Sequence, residues 1–200
     1  QAKPGDPRAY TLTADDIVRE LEKPENAGVR ELHMTSGHNP SLKVDYFENL
    51  FRTIKARFPE IHLKVFTMIE MDYYARVSGL STEAFLERCV AAGLESCPGG
   101  GAEIFAPEIR EKICIGKKDA RVWLETAALC HRKGVPTNCT MLYGHIEEDH
   151  HRVDHLLQLR DLQDRSLAAG PTGFLAYIPL AYQNEDNELS RRYAIPVTTG

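Results

Sequence analysis

Apolar and polar positions along this chain alternate between two periods. In VDYFENLFRTIKARF (44–58) the apolar residues fall at 44, 47, 50, 51, 54 and 58, the three-to-four spacing of a helix with one buried face. The flanking runs VRELHMT (29–35) and IHLKVFT (61–67) read as strands, the second introduced by Pro59. Two helical pieces follow, IEMDYYARVSG and STEAFLERCVAAG, joined at Gly79-Leu80. Ser81 ahead of Glu83 and Ala84 predicts a capped start, and Gly93 a stop. LESC (94–97) predicts a short strand that runs into the glycine loop PGGGAE, and APEIREKIC one or two helical turns with Pro107 near their start. DARVWLETAALCHRKG (119–134) predicts a helix from Asp119 as N-cap to Gly134 as stop. VPTNCTMLYG (135–144) predicts a strand, EEDHHRVDHLLQLRDLQDRSL (147–167) a long helix, and GFLAYIP (173–179) a last strand. In the long helix Val153, Leu156 and Leu157 are expected to form the buried stripe, with His151 and His155 as solvated flankers. The polar tail after the last strand is expected to be loose.

Five strands alternate with helices in units of roughly 30–40 residues, the pattern of a parallel sheet with helical crossovers. The fold class is therefore α/β in a single domain spanning 1–200, and the alternation admits either a doubly wound sheet or part of a βα barrel. In both, ligands sit at the C-terminal ends of the strands. That rule singles out TSGHNP, TMIEMD, PGGGAE, YGHIEE and PLAYQNED.

Composition narrows the class. The 42% hydrophobic content of 200 residues suffices for a sizeable core. The net charge of −5, with no basic block longer than Lys117-Lys118, excludes nucleic acid as the main partner. No apolar run approaches the roughly 18–20 residues of a membrane span, and QAKPGDPRAY has no signal-peptide core, so no membrane is expected and the location is expected to be cytoplasmic. Cys89, Cys97, Cys114, Cys130 and Cys139 are odd in number, irregularly spaced and without a C-x-x-C. That excludes a disulfide framework or a zinc knuckle and predicts reduced, buried thiols.

Among the strand ends, SCPGGGAE (96–103) is the richest in chemistry. Three glycines let backbone amides approach a ligand, and Glu103 adds a carboxylate suited to ribose hydroxyls or an amine. No G-K-[ST] follows, so the loop is not a P-loop, nor is it a G-x-G-x-x-G fingerprint. HMTSGHNP (33–40) offers Ser36-Gly37 with His38 and Asn39 beside them. In TMLYGHIEEDHH (140–151), Gly144 and His145 stand at the strand end, and Glu147 near the next helix N-terminus, where a carboxylate is favoured whether it caps or binds. The His151/His155 pair shares one helix face but lacks the H-E-x-x-H pattern of catalytic zinc. Glu70, Asp72, Tyr182, Gln183 and Asn184 are placed for substrate contact.

The long motifs LESCPGGGAEIFAPEIREKIC, TNCTMLYGHIEEDHHRVDHLLQLRDLQD and FLAYIPLAYQNEDNEL, with GDPRAYTLT near the start, resemble the radical S-adenosylmethionine enzymes of the futalosine route to menaquinone, in their aminofutalosine synthase branch. The resemblance covers nearly the whole chain. It implies a partial (βα) TIM-like barrel that binds S-adenosylmethionine and, in full-length members, a 4Fe-4S cluster. It implies addition of a 5′-deoxyadenosyl radical to the enolpyruvyl double bond of 3-[(1-carboxyvinyl)oxy]benzoate, with loss of carbon dioxide. By the resemblance, Ser36 and Gly37 stand where such enzymes use Gly-Gly to meet the methionyl amino group. Glu103 approaches the S-adenosylmethionine, and Tyr143, Gly144, His145 and Glu147 lie along its adenine. The family's GLHPD reads GHNPS here, and His38, Glu70, Tyr182 and Asn184 are carried as substrate-side candidates.

The C-x-x-x-C-x-x-C of the family, which holds its cluster upstream of a KPGDP stretch found here at 3–7, is absent from this sequence. The expectation is a barrel fragment without cluster or metal, inactive alone, and able to dimerise or aggregate through an open edge at VRELHMT. The alternatives are the dehypoxanthine futalosine cyclase branch, which shares PGGGAE and GH-x-E; a metal-dependent βα-barrel hydrolase using His145, His150, His151 or His155 with Glu147 or Asp154; and a non-catalytic nucleoside-binding module.

Overall fold

The structure, a computed structural model, describes residues 6, 7, 9–114 and 119–195. Lys117-Lys118 and most of KPGDP lie outside the described residues. The chain forms two compact units, Gln1–Phe66 with Glu70–Ser96, and Thr67–Ile69 with Cys97–Gly200.

The first unit begins with α1 (Ala14–Leu21), a helix not anticipated above although its start carries a capping box: Thr13 Oγ1 accepts from Asp16 N, and Asp16 accepts from Thr13 N. The helical spacing of 44–58 becomes α2 (Val44–Arg57). It runs between β1 (Glu31–Met34) and β2 (His62–Val65), which pair in parallel with Glu31 opposite His62 and Met34 opposite Val65. α3 (Met68–Val77) and α4 (Thr82–Ala92) follow, the latter capped by Ser81 Oγ as predicted and ended at Gly93, whose φ of +122° suits glycine. Phe47 centres the core, with the rings of Tyr74 at 4.7 Å, Phe66 at 4.8 Å and Phe85 at 6.1 Å. Arg88 of α4 bridges Asp45 and Glu48 of α2.

The second unit is built on β3 (Thr137–Tyr143) and β4 (Phe174–Ala181), parallel, with a bulge between Thr137 and Cys139. α5 (Pro107–Ile113) and α6 (Ala120–Arg132) precede β3, and α7 (Asp149–Ala169) crosses over from β3 to β4. Trp123, Phe105, Ile104 and Ala127 are buried. A short α8 (Glu188–Tyr193), capped by Asn187, occupies the tail expected to be loose.

Parallel strands joined by helices are the partial-barrel type of α/β fold that the alternation and the resemblance implied. Two expectations change. LESC does not form a strand of its own: Ser96 bridges Lys64 and Cys97 bridges Thr137, and Pro98 ends the pairing. The face of α7 is also reversed. Val153, Leu156 and Leu157 are 55%, 41% and 62% exposed, while His151, His155, Leu159, Leu162 and Ser166 form the buried row. The histidines win the interior because each finds a polar partner there: His155 Nε2 donates to Thr140 O at 3.0 Å, and His151 Nδ1 accepts from Glu148 N at 2.9 Å. The five cysteines are free and buried, as expected.

Phe47→Ala removes the ring against which Tyr46, Phe51, Phe66, Tyr74 and Phe85 all pack. It should lower unfolding free energy by about 3–5 kcal/mol in urea titrations, and a loss under about 1 kcal/mol would mean that this ring does not centre the core.

Candidate functional site

In the first unit, the loop after β1 is gripped by α3 side chains one helical turn apart. The Glu70 carboxylate accepts from Ser36 N, and Ser36 Oγ lies 3.2 Å from the same oxygen and 2.9 Å from Tyr74 OH. Tyr74 OH donates to Gly37 O, and Tyr73 OH donates to His38 O at 3.1 Å. The His38 ring stacks on Tyr73 at 4.3 Å. The structure thus brings Ser36, Gly37, His38 and Glu70 into one network. Glu70 fixes the loop from inside, buried, while Ser36 and Gly37 are exposed. Sequence reasoning missed Tyr74, whose signal was its place one turn beyond Glu70 on the same helix face.

In the second unit, PGGGAE turns sharply after Cys97. Gly99 is obligatory: a Cβ there would stand 2.7 Å from backbone atoms of Asn138 and Cys139. Gly101 and Glu103 adopt φ of +86° and +48°. The left-handed backbone at Glu103 costs a non-glycine residue free energy that the surrounding contacts must offset. The Glu103 carbonyl accepts from Leu142 N at 2.8 Å, tying the loop to β3.

At the end of β3 the chain turns back on itself. The Glu147 side chain, fully buried, accepts from Gly144 N at 2.6 Å, His145 N at 2.8 Å and Arg152 Nε at 2.7 Å. Burial opposes its charge, but these hydrogen bonds outweigh burial and hold the carboxyl below the usual range. His145 is equally occupied: Nε2 donates to Leu142 O at 3.1 Å and Nδ1 accepts from Ile146 N at 2.7 Å. Burial pushes its pKa down against the pull of Glu147, whose Oε2 lies 3.0 Å from Nδ1. The Tyr182 ring meets His145 edge-on at 6.0 Å, and Tyr182 N donates to Tyr143 O at 2.8 Å. Tyr143, Gly144, His145, Glu147 and Tyr182 therefore converge, with Arg152 at 5.8 Å from the Tyr143 ring. Asn184 turns instead toward the tail, donating to Ile195 O at 3.2 Å. Glu147 and His145 shape the turn and take up the amides of residues 144, 145 and 146, while the side chains of Tyr143 and Ile146 stay half-buried at its surface.

His155 stacks on Phe105 at 4.0 Å, and His131 lies between Ser166 Oγ at 2.7 Å and Thr137 Oγ1 at 3.0 Å. Burial pushes both imidazoles down to about 4. Among the described residues no three His, Cys, Asp or Glu side chains come together as metal ligands. The histidines that a hydrolase would need are tied to backbone or, like His150, exposed. The described residues do not fit a cluster either, because the five thiols are buried and no three of them come together as its ligands would.

Two predictions follow from these side chains. Folded His131 and His155 stay neutral down to about pH 4, whereas unfolded histidines gain protons below about 6.5. Stability should hold above pH 6.5 and fall between 6.5 and 4, by up to about 3 kcal/mol per histidine. Chemical denaturation across that window checks this, and His155→Gln should flatten the slope; an unchanged slope would assign the loss elsewhere. Glu147→Gln, which turns one of the turn's acceptor oxygens into a donor, should cost about 1–3 kcal/mol by thermal unfolding, and a change under about 0.5 kcal/mol would show that the carboxylate does not hold the turn.

Comparison with known proteins places this geometry. The Radical SAM superfamily matches residues 1–159. The chain is 43% identical over 185 residues to the aminodeoxyfutalosine synthase of Streptomyces coelicolor, covering 92% of this chain and 46% of that protein. It is 39% identical over 191 residues to the aminodeoxyfutalosine synthase of Thermus thermophilus, covering 96% and 50%. It is 33% identical over 189 residues to the 5-amino-6-(D-ribitylamino)uracil–L-tyrosine 4-hydroxyphenyl transferase of Methanopyrus kandleri, covering 94% and 50%. The chain spans about half the length of the curated relatives it matches. No helix among the described residues is long and apolar enough to cross a membrane. With parallel strands, a glycine loop after Cys97 and a backbone-shaped turn after β3, this chain belongs to the radical SAM superfamily.

Proposed function

We propose that this chain is the S-adenosylmethionine-binding part of an aminofutalosine synthase, which joins the 5′-deoxyadenosyl group to the enolpyruvyl double bond of 3-[(1-carboxyvinyl)oxy]benzoate with loss of carbon dioxide. The observation that carries the reading is the identity to two aminodeoxyfutalosine synthases, 43% and 39%, against 36% and 33% for two hydroxyphenyl transferases, each across more than nine-tenths of this chain.

The geometry of the second unit supports an adenosine-binding role. Tyr143 and Ile146 offer half-buried apolar side chains at the end of β3, which suits a flat, weakly polar base. Glu103 stands on a backbone fixed in the left-handed region and carries a carboxylate, the kind of acceptor that paired ribose hydroxyls favour. Cleavage of S-adenosylmethionine to the 5′-deoxyadenosyl radical needs one electron from an iron–sulfur cluster, and the described residues offer no thiolate set to hold one. The contribution of these residues is to bind and orient the adenosyl group, where positioning governs which carbon the radical meets.

Calorimetry on the chain should show binding of S-adenosylmethionine, weakened about tenfold in Glu103→Gln, the effect of losing one charge-assisted hydrogen bond. With S-adenosylmethionine present, 3-[(1-carboxyvinyl)oxy]benzoate should bind and L-tyrosine should not. Binding of L-tyrosine instead would favour the hydroxyphenyl transferase reading. The chain alone, given dithionite and both substrates, should form no aminofutalosine by mass spectrometry; its appearance would refute the claim that these residues lack the cluster.

A further inference from the structure

Within the second unit, six consecutive carbonyl oxygens each accept a hydrogen bond from the scaffold. Gly99 O accepts from Thr140 Oγ1 at 2.8 Å, Gly100 O from Trp123 Nε1 at 3.1 Å, and Glu103 O from Leu142 N at 2.8 Å. The other three converge on one side chain. Arg110 Nη2 donates to Gly101 O at 3.0 Å, and Arg110 Nη1 donates to Ala102 O and, at 3.2 Å, to Ile104 O. Arg110 is buried on α5, a helix of two turns that stands directly after the loop it holds.

A guanidinium is rarely buried without strong partners, because desolvating the charge is expensive. Here the cation sits among carbonyl dipoles, and its planar fork reaches several at once. The consequence lies on the opposite side of each peptide. No cis bond occurs among the described residues, so each carbonyl points away from the amide that follows it. Drawing the oxygens of 101, 102 and 104 to Arg110 turns the amides of 102, 103 and 105 away from it. The peptides on either side of the Glu103 Cα are both held, Ala102 O by Arg110 and Glu103 O by Leu142 N, which keeps that residue in its left-handed backbone, with φ +48°.

We infer that Arg110 is the positioning residue of the S-adenosylmethionine loop, acting from behind on the backbone so that the Glu103 carboxylate and the loop amides meet the ligand in one arrangement. The role rests on the reading that this loop binds S-adenosylmethionine. Lysine at 110 keeps the charge but offers one point cation on a flexible stem, so it cannot hold three carbonyls in a fixed fork. The sequence carried a faint signal, an arginine directly after Ile109 at the start of a two-turn helix behind a glycine loop.

The test uses Arg110→Lys and Arg110→Met in the chain, with amide hydrogen exchange, thermal unfolding and calorimetry with S-adenosylmethionine. Arg110→Lys should keep the fold, speed exchange of residues 98–106 about tenfold without a comparable change elsewhere, and weaken binding by about three- to tenfold. Arg110→Met should do more of both, so that lysine gives partial rescue. A purely packing role would lower the unfolding midpoint while leaving loop exchange and affinity within twofold in Arg110→Lys, and that result overturns the inference. If the unsubstituted chain does not bind S-adenosylmethionine, the functional reading fails, and the exchange measurement still decides the matter: unchanged loop protection in both variants rules out positioning by Arg110.

Discussion

A loop rich in glycine has little conformational preference of its own, so something outside it must decide where its peptide groups point. In this chain the decision is made through oxygen. Every carbonyl from Gly99 to Ile104 has a fixed donor in β3, α5 or α6. The glycines allow the chain to follow that path: Gly99 passes against the backbone of β3 where no side chain fits, and Gly101 takes a φ of +86°. The entropy lost in ordering such a segment is large, about 1–2 kcal/mol per residue, and the row of buried hydrogen bonds offsets it before a ligand arrives. Preorganisation of this kind is what lets binding energy go to the ligand rather than to the loop.

The turn after β3 follows the same logic with different chemistry. There a carboxylate, not a cation, gathers the backbone: Glu147 collects two amides and the Arg152 guanidinium. Side chains that a motif reading assigns to the ligand, His145 and Glu147, turn inward and take up the amides of residues 144 to 146. The loop after β1 shows it a third time, with Glu70, Tyr73 and Tyr74 holding the amide of Ser36 and the carbonyls of Gly37 and His38. In each case charged or polar groups act on the main chain, and the main chain makes the surface.

This explains which parts were legible in the sequence. The helices α2, α4, α6 and α7 and the four strands were readable because periodicity and caps are local, and Ser81 and Asp119 cap where they were expected to. The face of α7 was misread because hydrophobicity alone was used to orient it. Leu156 and Leu157 outweigh histidine on any apolar scale, yet the Thr140 carbonyl beneath the helix needs a donor and His155 supplies it. The strand-end loops were legible as places, through glycine and the rule for parallel sheets. What each side chain does there was not, because Glu147 bonding its own turn and a ligand-binding Glu147 have the same sequence. Arg110 and Tyr74 left only a faint mark in the sequence for a related reason: each acts on backbone several residues or one strand away, and no spacing rule names that partner.

The left-handed backbone at Glu103 sets limits on descent as well as on chemistry. A position with φ +48° accepts glycine readily and asparagine or aspartate at small strain, and it resists valine, isoleucine and threonine, whose branched Cβ clashes there. The replacements this backbone admits are therefore glycine, the short Asx residues and unbranched side chains such as glutamine, and of these only aspartate keeps a carboxylate. Change of ligand preference at this loop would run through loss of the charge, on a side chain of unchanged length or none, and not through a branched one.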